Sequence, residues 1–147
     1  MGITQNTLMA WRREPVTEED VKNLTYREAE AIYIQDYWER PKLHLLKMHP
    51  ELIELIFDSA VHHGSVMAVR LLQRAAGVKP DALIGPVTLA ACLALEQEDL
   101  MARVLAERII FFGYLVEKDP TQSVFIEGWL TRMKEFILAL PSLDDVE

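Results

Sequence analysis

The chain has a single cysteine, Cys92, in 147 residues, so no disulfide can form within it. Cys92 sits in an apolar helical run, where a thiol behaves as a small buried hydrophobe rather than a nucleophile. Six glycines and seven prolines are few and scattered, which leaves no flexible linker and no low-complexity segment. Basic residues are also short: 15 Lys and Arg face 23 Asp and Glu, a net charge of −8. Nucleic-acid binding needs phosphate-neutralising side chains, so this balance argues against it, and against adsorption to an anionic membrane. Arg12-Arg13 is the only basic cluster. No apolar run reaches the roughly 20 residues of a membrane span, so no membrane insertion is expected. The N-terminus lacks a basic stretch followed by an apolar one, so no signal peptide is expected either. The chain reads as made in the cytoplasm, and work outside it requires another route of export.

What remains is the composition of one helical domain, half apolar and about a quarter charged. No alternating strand pattern competes, so the fold class is all-α. Helical spacing runs from Gln5 to Arg13, and Thr17-Glu-Glu-Asp20 gives a second, cap-like start. Thr25-Tyr-Arg-Glu28 reads as the better capping box, opening a helix through Trp38 that stops before Pro41. Residues 41–49 form a connector. Pro50 starts a helix that ends at Gly64, and Ser65 is placed to cap the next one, which ends at Gly77. A compact loop, Val78 to Gly85, precedes a helix opened by Pro86. From Asp99 to Val116 the chain is apolar on almost every side, the pattern of a helix buried in mid-domain. A last helix, Ser123 to Leu140, precedes Pro141 and an acidic tail.

Asp58 and His62 are four apart and share a helical face. They read either as a polar pair lining a groove or as a pair supporting the next loop. Tyr33, Tyr37 and Trp38 could floor a sugar cleft by stacking, or simply pack as core with polar tips at a rim. His44, His49, His62 and His63 lack a metal-ligand spacing, so neither metal nor cofactor is expected. Carboxylates are plentiful in the first third, but glycoside hydrolysis needs one in an apolar pocket, and none has that setting in the sequence.

In order and spacing, several elements together resemble the glycoside hydrolase family 108 muramidases, a lysozyme-like family of phage endolysins and secretion activators. They are Gly2-Ile-Thr4, Leu24-Thr25 with Glu28-Ala29, Ile32-Tyr33, Tyr37-Trp38, Phe57-Asp58, Gly64, Leu72-Gln73, Gly77-Val78, Asp81, Gly85-Pro86 and Thr88. Gly128-Trp-Leu-Thr-Arg132 is similar to a Gly-Trp-x-x-Arg element near the family's end. The resemblance implies a lysozyme-like part, residues 1–67, and a peptidoglycan-binding helical part, residues 68–140, packed as one globular unit. It implies a groove drawn from Thr4, Tyr33, Tyr37, Trp38, Asp58 and His62, and wall-binding candidates Gln73, Asp81 and Thr88 in the second part.

Three departures stand out. Ala82 occupies a place where Gly is usual, and His62-His63 a place where a small polar pair is more typical. The family's catalytic Glu, in a Glu-Gly-Gly-Tyr motif ahead of Gly-Ile-Thr, has no position here, so no catalytic residue is assigned. A start set too far downstream, a degenerate prophage remnant and a wall-binding or regulatory homologue all fit; the abrupt onset of the likeness at residue 2 favours the first. The expectation is a peptidoglycan-directed protein whose family reaction is hydrolysis of the β-1,4 MurNAc-GlcNAc bond, acting at the wall or periplasm if exported. The rival is a non-catalytic wall-binding or secretion or phage-assembly adaptor using the 99–140 helices, which gains if Phe111, Phe112 and Trp129 form one exposed patch and loses if they are buried. A homodimer is allowed for, since a cleft short of its N-terminal segment exposes apolar walls.

Overall fold

The computed structural model describes residues 2–46 and 49–141. Residues 47 and 48 of the expected connector, and the acidic tail from 142, lie outside the described residues. Those described are helical, with no strand among them. The helices are α1 (Gln5–Arg12), α2 (Glu18–Lys22), α3 (Tyr26–Tyr33), α4 (Pro50–His63), α5 (Ser65–Ala75), α6 (Pro86–Leu93), α7 (Gln97–Lys118) and α8 (Ile126–Leu138). A π-helical segment, Ile34–Glu39, continues α3, and 3₁₀ turns span Leu43–Leu46 and Pro120–Phe125. None of the helices is long and apolar enough to cross a membrane.

Two apolar clusters organise the chain. A small one joins Ile3, Leu8, Val16, Leu24, Ala29 and Ile32 from the first three helices. The main core runs from Leu43 through α4, α5 and α7 to Met133. α7 is its axis, packing against α4, α5, α8 and the second 3₁₀ turn.

Several local expectations change. The reciprocal capping box is Thr17–Asp20, in which each side chain bonds the other's backbone N–H. Thr25 accepts from the Glu28 N–H, but the Glu28 carboxylate turns away to take two bonds from Arg12, at 2.8 and 2.7 Å. Ser65 does not cap α5. α7 is not buried all round: Leu100, Val104, Leu105, Arg108 and Phe112 face inward, whereas Ile109, Ile110 and Tyr114 are 42, 66 and 52 % exposed. The neighbours cover only one side of it, because so short a chain has no further layer to lay on the other.

Candidate functional site

The π-helical segment decides where a groove can form. Inserting a residue into a helix shifts backbone bonds from i−4 to i−5, so the Arg40 N–H bonds the Gln35 carbonyl at 2.9 Å. The Asp36 carbonyl would then need the N–H of residue 41, which is proline and has none. Ser65 supplies the missing donor: its Oγ donates to the Asp36 carbonyl from across the groove. A hydroxyl expected to cap a helix instead holds the α4–α5 corner against the π-helical segment. Gly64 makes that corner with φ +86° and ψ 151°, a conformation side-chain-bearing residues rarely adopt.

Along the outside of this segment runs a groove. One end is a cleft of about 400 Å³ lined by Thr7, Asp36, Tyr37, Arg40, His63 and the Gly64–Met67 corner. The other is a hollow of about 300 Å³ lined by Ala10, Trp11, Arg13, Gln35, Asp36 and Arg40. Asp36 and Arg40 belong to both and are ion-paired at 3.3 Å. The groove thus combines a carboxylate, guanidinium groups, hydroxyls and the rings of Tyr37 and Trp11.

The residues singled out in the sequence divide between this groove and the interior. Tyr37 lines the cleft, and its phenol pKa is raised by burial, then by Tyr33 and Asp36. Tyr33 lies beside it, ring centroids 5.3 Å apart, its hydroxyl accepting the Gly2 N–H at 3.2 Å. Trp38 turns inward to Phe57, at 6.4 Å. Thr4 caps α1, its Oγ1 accepting from the Thr7 N–H and sharing a 2.9 Å hydrogen bond with the Thr7 hydroxyl. Asp36, Arg40, Thr7 and Trp11 were not foreseen; a hydroxyl following the Gly64 corner and a proline at 41 were the available signals.

Asp58 and His62 lie elsewhere, in an ion cluster around the buried Arg108 that joins α4 to α7 and α8 and opens at Asp58 and Arg132 onto a hollow of about 430 Å³. Asp58 accepts from Arg108 Nη1 at 2.9 Å and from Arg132 Nε at 2.8 and 3.0 Å, with a further bond from Arg132 Nη2. The Arg108 side chain is 0 % exposed. Its remaining donors reach His62 Nδ1 at 3.3 Å and His63 Nε2 at 3.4 Å. Arginine can only donate, so both ring nitrogens must be unprotonated acceptors. Burial, reinforced by Arg108, lowers the pKa of His62, and burial with His62 and Arg108 lowers that of His63 to about 3. Burial works to raise the Asp58 pKa, but the bonds and charges of Arg132 and Arg108 win and hold it low. Stacked Phe112 and Trp129, 4.9 Å apart, close the cluster. Phe112 is buried and Phe111 and Trp129 half-buried, so the three form no single solvent-facing patch. The Gly-Trp-x-x-Arg element is explained by this packing: Trp129 stacks and Arg132 clamps Asp58. His63 alone belongs to both places, a partner of Arg108 that also lines the cleft.

In the second half, Gln73 is buried and all its polar atoms are used. Its Nε2 donates to Asp81 Oδ1 at 2.8 Å, Leu83 O at 3.1 Å and Thr88 Oγ1 at 3.1 Å, and its Oε1 accepts from Ala82 N at 2.9 Å. Gln73, Asp81 and Thr88 therefore pin the 78–85 loop. That loop requires Ala82 at φ +68°, which accounts for the glycine usual at this place. Another hollow of about 300 Å³, between α4, α7 and α8, is lined by Glu51, Glu54, Glu98 and Glu135. Gln97 Oε1, buried and without a hydrogen-bond partner among the described residues, lies there.

Comparison with known proteins matches this architecture. The family model described as glycosyl hydrolase 108 matches residues 1–64, and one described as a predicted peptidoglycan domain matches residues 67–134. The solved structure of SagA from Brucella abortus is similar over 92 % of this chain and 74 % of that one, with 32 % identity and a TM-score of 0.81. No curated protein matches the chain. The helical fold, the two matched parts and the likeness to a solved relative together assign this chain to the glycosyl hydrolase 108 family, as a lysozyme-like, peptidoglycan-directed protein.

Proposed function

We propose that the groove along the π-helical segment binds the glycan strands of peptidoglycan, and that residues 1–147 alone bind them without efficient cleavage. The observation that carries the reading is the groove itself: Tyr37 and Trp11 offer rings to sugar faces, while Asp36, Arg40 and Thr7 offer hydrogen bonds, in two neighbouring hollows that share Asp36 and Arg40. The family reaction, hydrolysis of the β-1,4 bond between MurNAc and GlcNAc, needs a carboxyl kept protonated by an apolar pocket. Four half-buried carboxyls are committed to cations instead: Asp20 and Glu28 to Arg12, Asp36 to Arg40, Asp58 to two arginines. Burial works against ionisation at Glu28 and Asp58, yet their arginine partners hold both low, the reverse of what a general acid requires.

The 67–134 part supports the same target and would hold the protein at the wall if it is exported or released. Gln73, Asp81 and Thr88 act there by shaping the 78–85 loop, whose exposed residues are left to meet the ligand.

Co-sedimentation with insoluble peptidoglycan tests the groove. The protein should be retained, and Tyr37→Ala should weaken retention about three- to tenfold through lost stacking. Unchanged retention in Tyr37→Ala would remove the groove from the binding site. Strong zymogram clearing of cell walls by residues 1–147 alone would overturn the second half of the reading.

A further inference from the structure

We propose that the outer face of α7 is a self-association surface on which a second copy of this chain docks antiparallel, with the two-fold axis at Ile110. At 3.6 residues per turn, Asp99, Arg103, Ala106, Ile110, Tyr114 and Glu117 fall on one stripe, flanked by Ile109 and Gly113. These residues are exposed, whereas the opposite side of the same helix fills the core. The stripe, without a partner among the described residues, is centred on Ile110, 66 % exposed, while the other face of the same helix fills the core.

The occupant follows from the order of residues along the stripe. Arg103 and Glu117 lie equally far before and after Ile110, as do Ala106 and Tyr114. A two-fold axis through Ile110 therefore sets Arg103 of each copy against Glu117 of the other, and seats each Tyr114 ring over the small Ala106 of its partner. Ile110 meets its own copy. Between Arg103 and Glu117, large opposes small, plus opposes minus, and apolar meets apolar along the stripe in one register. This is the self-complementarity an isologous contact requires. An unrelated ligand would give no reason for the sequence to be complementary to its own reverse. Among the described residues Arg103 pairs with Asp99, at 3.0 Å between two half-exposed side chains, a contact that does not prevent it from reaching across.

The stripe from Arg103 to Glu117 is about 20 Å long, and a helix pair of that length buries on the order of 800 Å² in total. That is below the size of an obligate interface, so the dimer should form with a dissociation constant in the range of tens of micromolar. None of the stripe residues lines the groove, so dimerisation would leave both grooves open. This clause rests on the proposed glycan reading: two grooves on one particle would raise retention on a polymeric wall by avidity.

The test is sedimentation equilibrium of the full chain from about 5 to 500 μM, in buffer without peptidoglycan, so that its outcome is independent of glycan binding. The wild type should pass from monomer to dimer across this range. Ile110→Asp should stay monomeric with an unchanged circular dichroism spectrum, because the side chain is exposed. Arg103→Glu and Glu117→Arg should each weaken the dimer about tenfold, through repulsion in two symmetric pairs, and the double variant should restore it. A wild type monomeric throughout, a dimer that survives Ile110→Asp, or a double variant no better than the singles would overturn the proposal.

Discussion

The groove and the ion cluster meet in one segment, residues 57–67, yet they do opposite things with their polar groups. In the cluster, Asp58, His62, His63, Arg108 and Arg132 bond to each other and leave little for a ligand. In the groove, Asp36, Arg40, Thr7 and Tyr37 are half-buried or exposed and face open space. The difference teaches that dense chemistry-bearing residues need not mark chemistry. A buried arginine must be paired, and the residues that pair it look from sequence like an active site. Here they join the two matched parts of the chain across a shared core.

The sharpest way to separate the two regions is to break the cluster. Asp58→Ala leaves Arg108 buried with neutral histidines as its only polar partners, and should lower stability by about 3–5 kcal/mol in chemical denaturation. The folded fraction should still bind peptidoglycan, because Asp58 does not line the groove. Acid should do the same gradually. Unfolded His63 protonates near 6.5, but in the folded chain burial and its cationic neighbours hold it to about 3. Between those values the unfolded state binds more protons, so stability is full above about pH 6.5 and is lost as pH falls towards 3. The slope contributed by this one group is at most about 1.4 kcal/mol per pH unit, and it should flatten in His63→Gln.

A smaller effect comes from the groove side. Ser65→Ala orphans the Asp36 carbonyl beside Pro41 and should cost about 1–2 kcal/mol, together with a loss of peptidoglycan retention as the cleft wall loosens. Retention unchanged at full folding would mean that the bond between corner and π-helical segment is purely structural. The smallest change should be a gain. Ala82→Gly relieves a left-handed backbone and should raise stability by about 0.5–1 kcal/mol, seen as a melting temperature a few degrees higher.

Much of the fold was legible because helical period, prolines and glycines act locally. Gly64, Pro50 and Pro86 mark real boundaries, and the Thr17 and Thr25 caps form. What misled was reach. Glu28 looked committed to its own helix, but Arg12, a neighbour only after folding, offered a charged bidentate partner. α7 looked wholly buried because its residues are apolar on all sides, and composition cannot count how many helices will cover it. The Gly-Trp-x-x-Arg element was visible as a motif, while its purpose depended on Asp58, 74 positions earlier.

By itself, the sequence determined an all-α chain of the glycosyl hydrolase 108 family and the order of its helices, since these rest on spacing and on the local rules of backbone capping. It also marked Ala82 as a departure from the family's pattern, but the reason, a backbone held at φ +68°, came only with the structure. Only the tertiary structure decided which polar residues are consumed in the interior and which are left for a ligand. Hydrogen-bond satisfaction is a property of neighbours in space: Arg108 had to be paired, Asp58 and the histidines were within reach, and the open chemistry fell to Asp36, Tyr37 and Arg40.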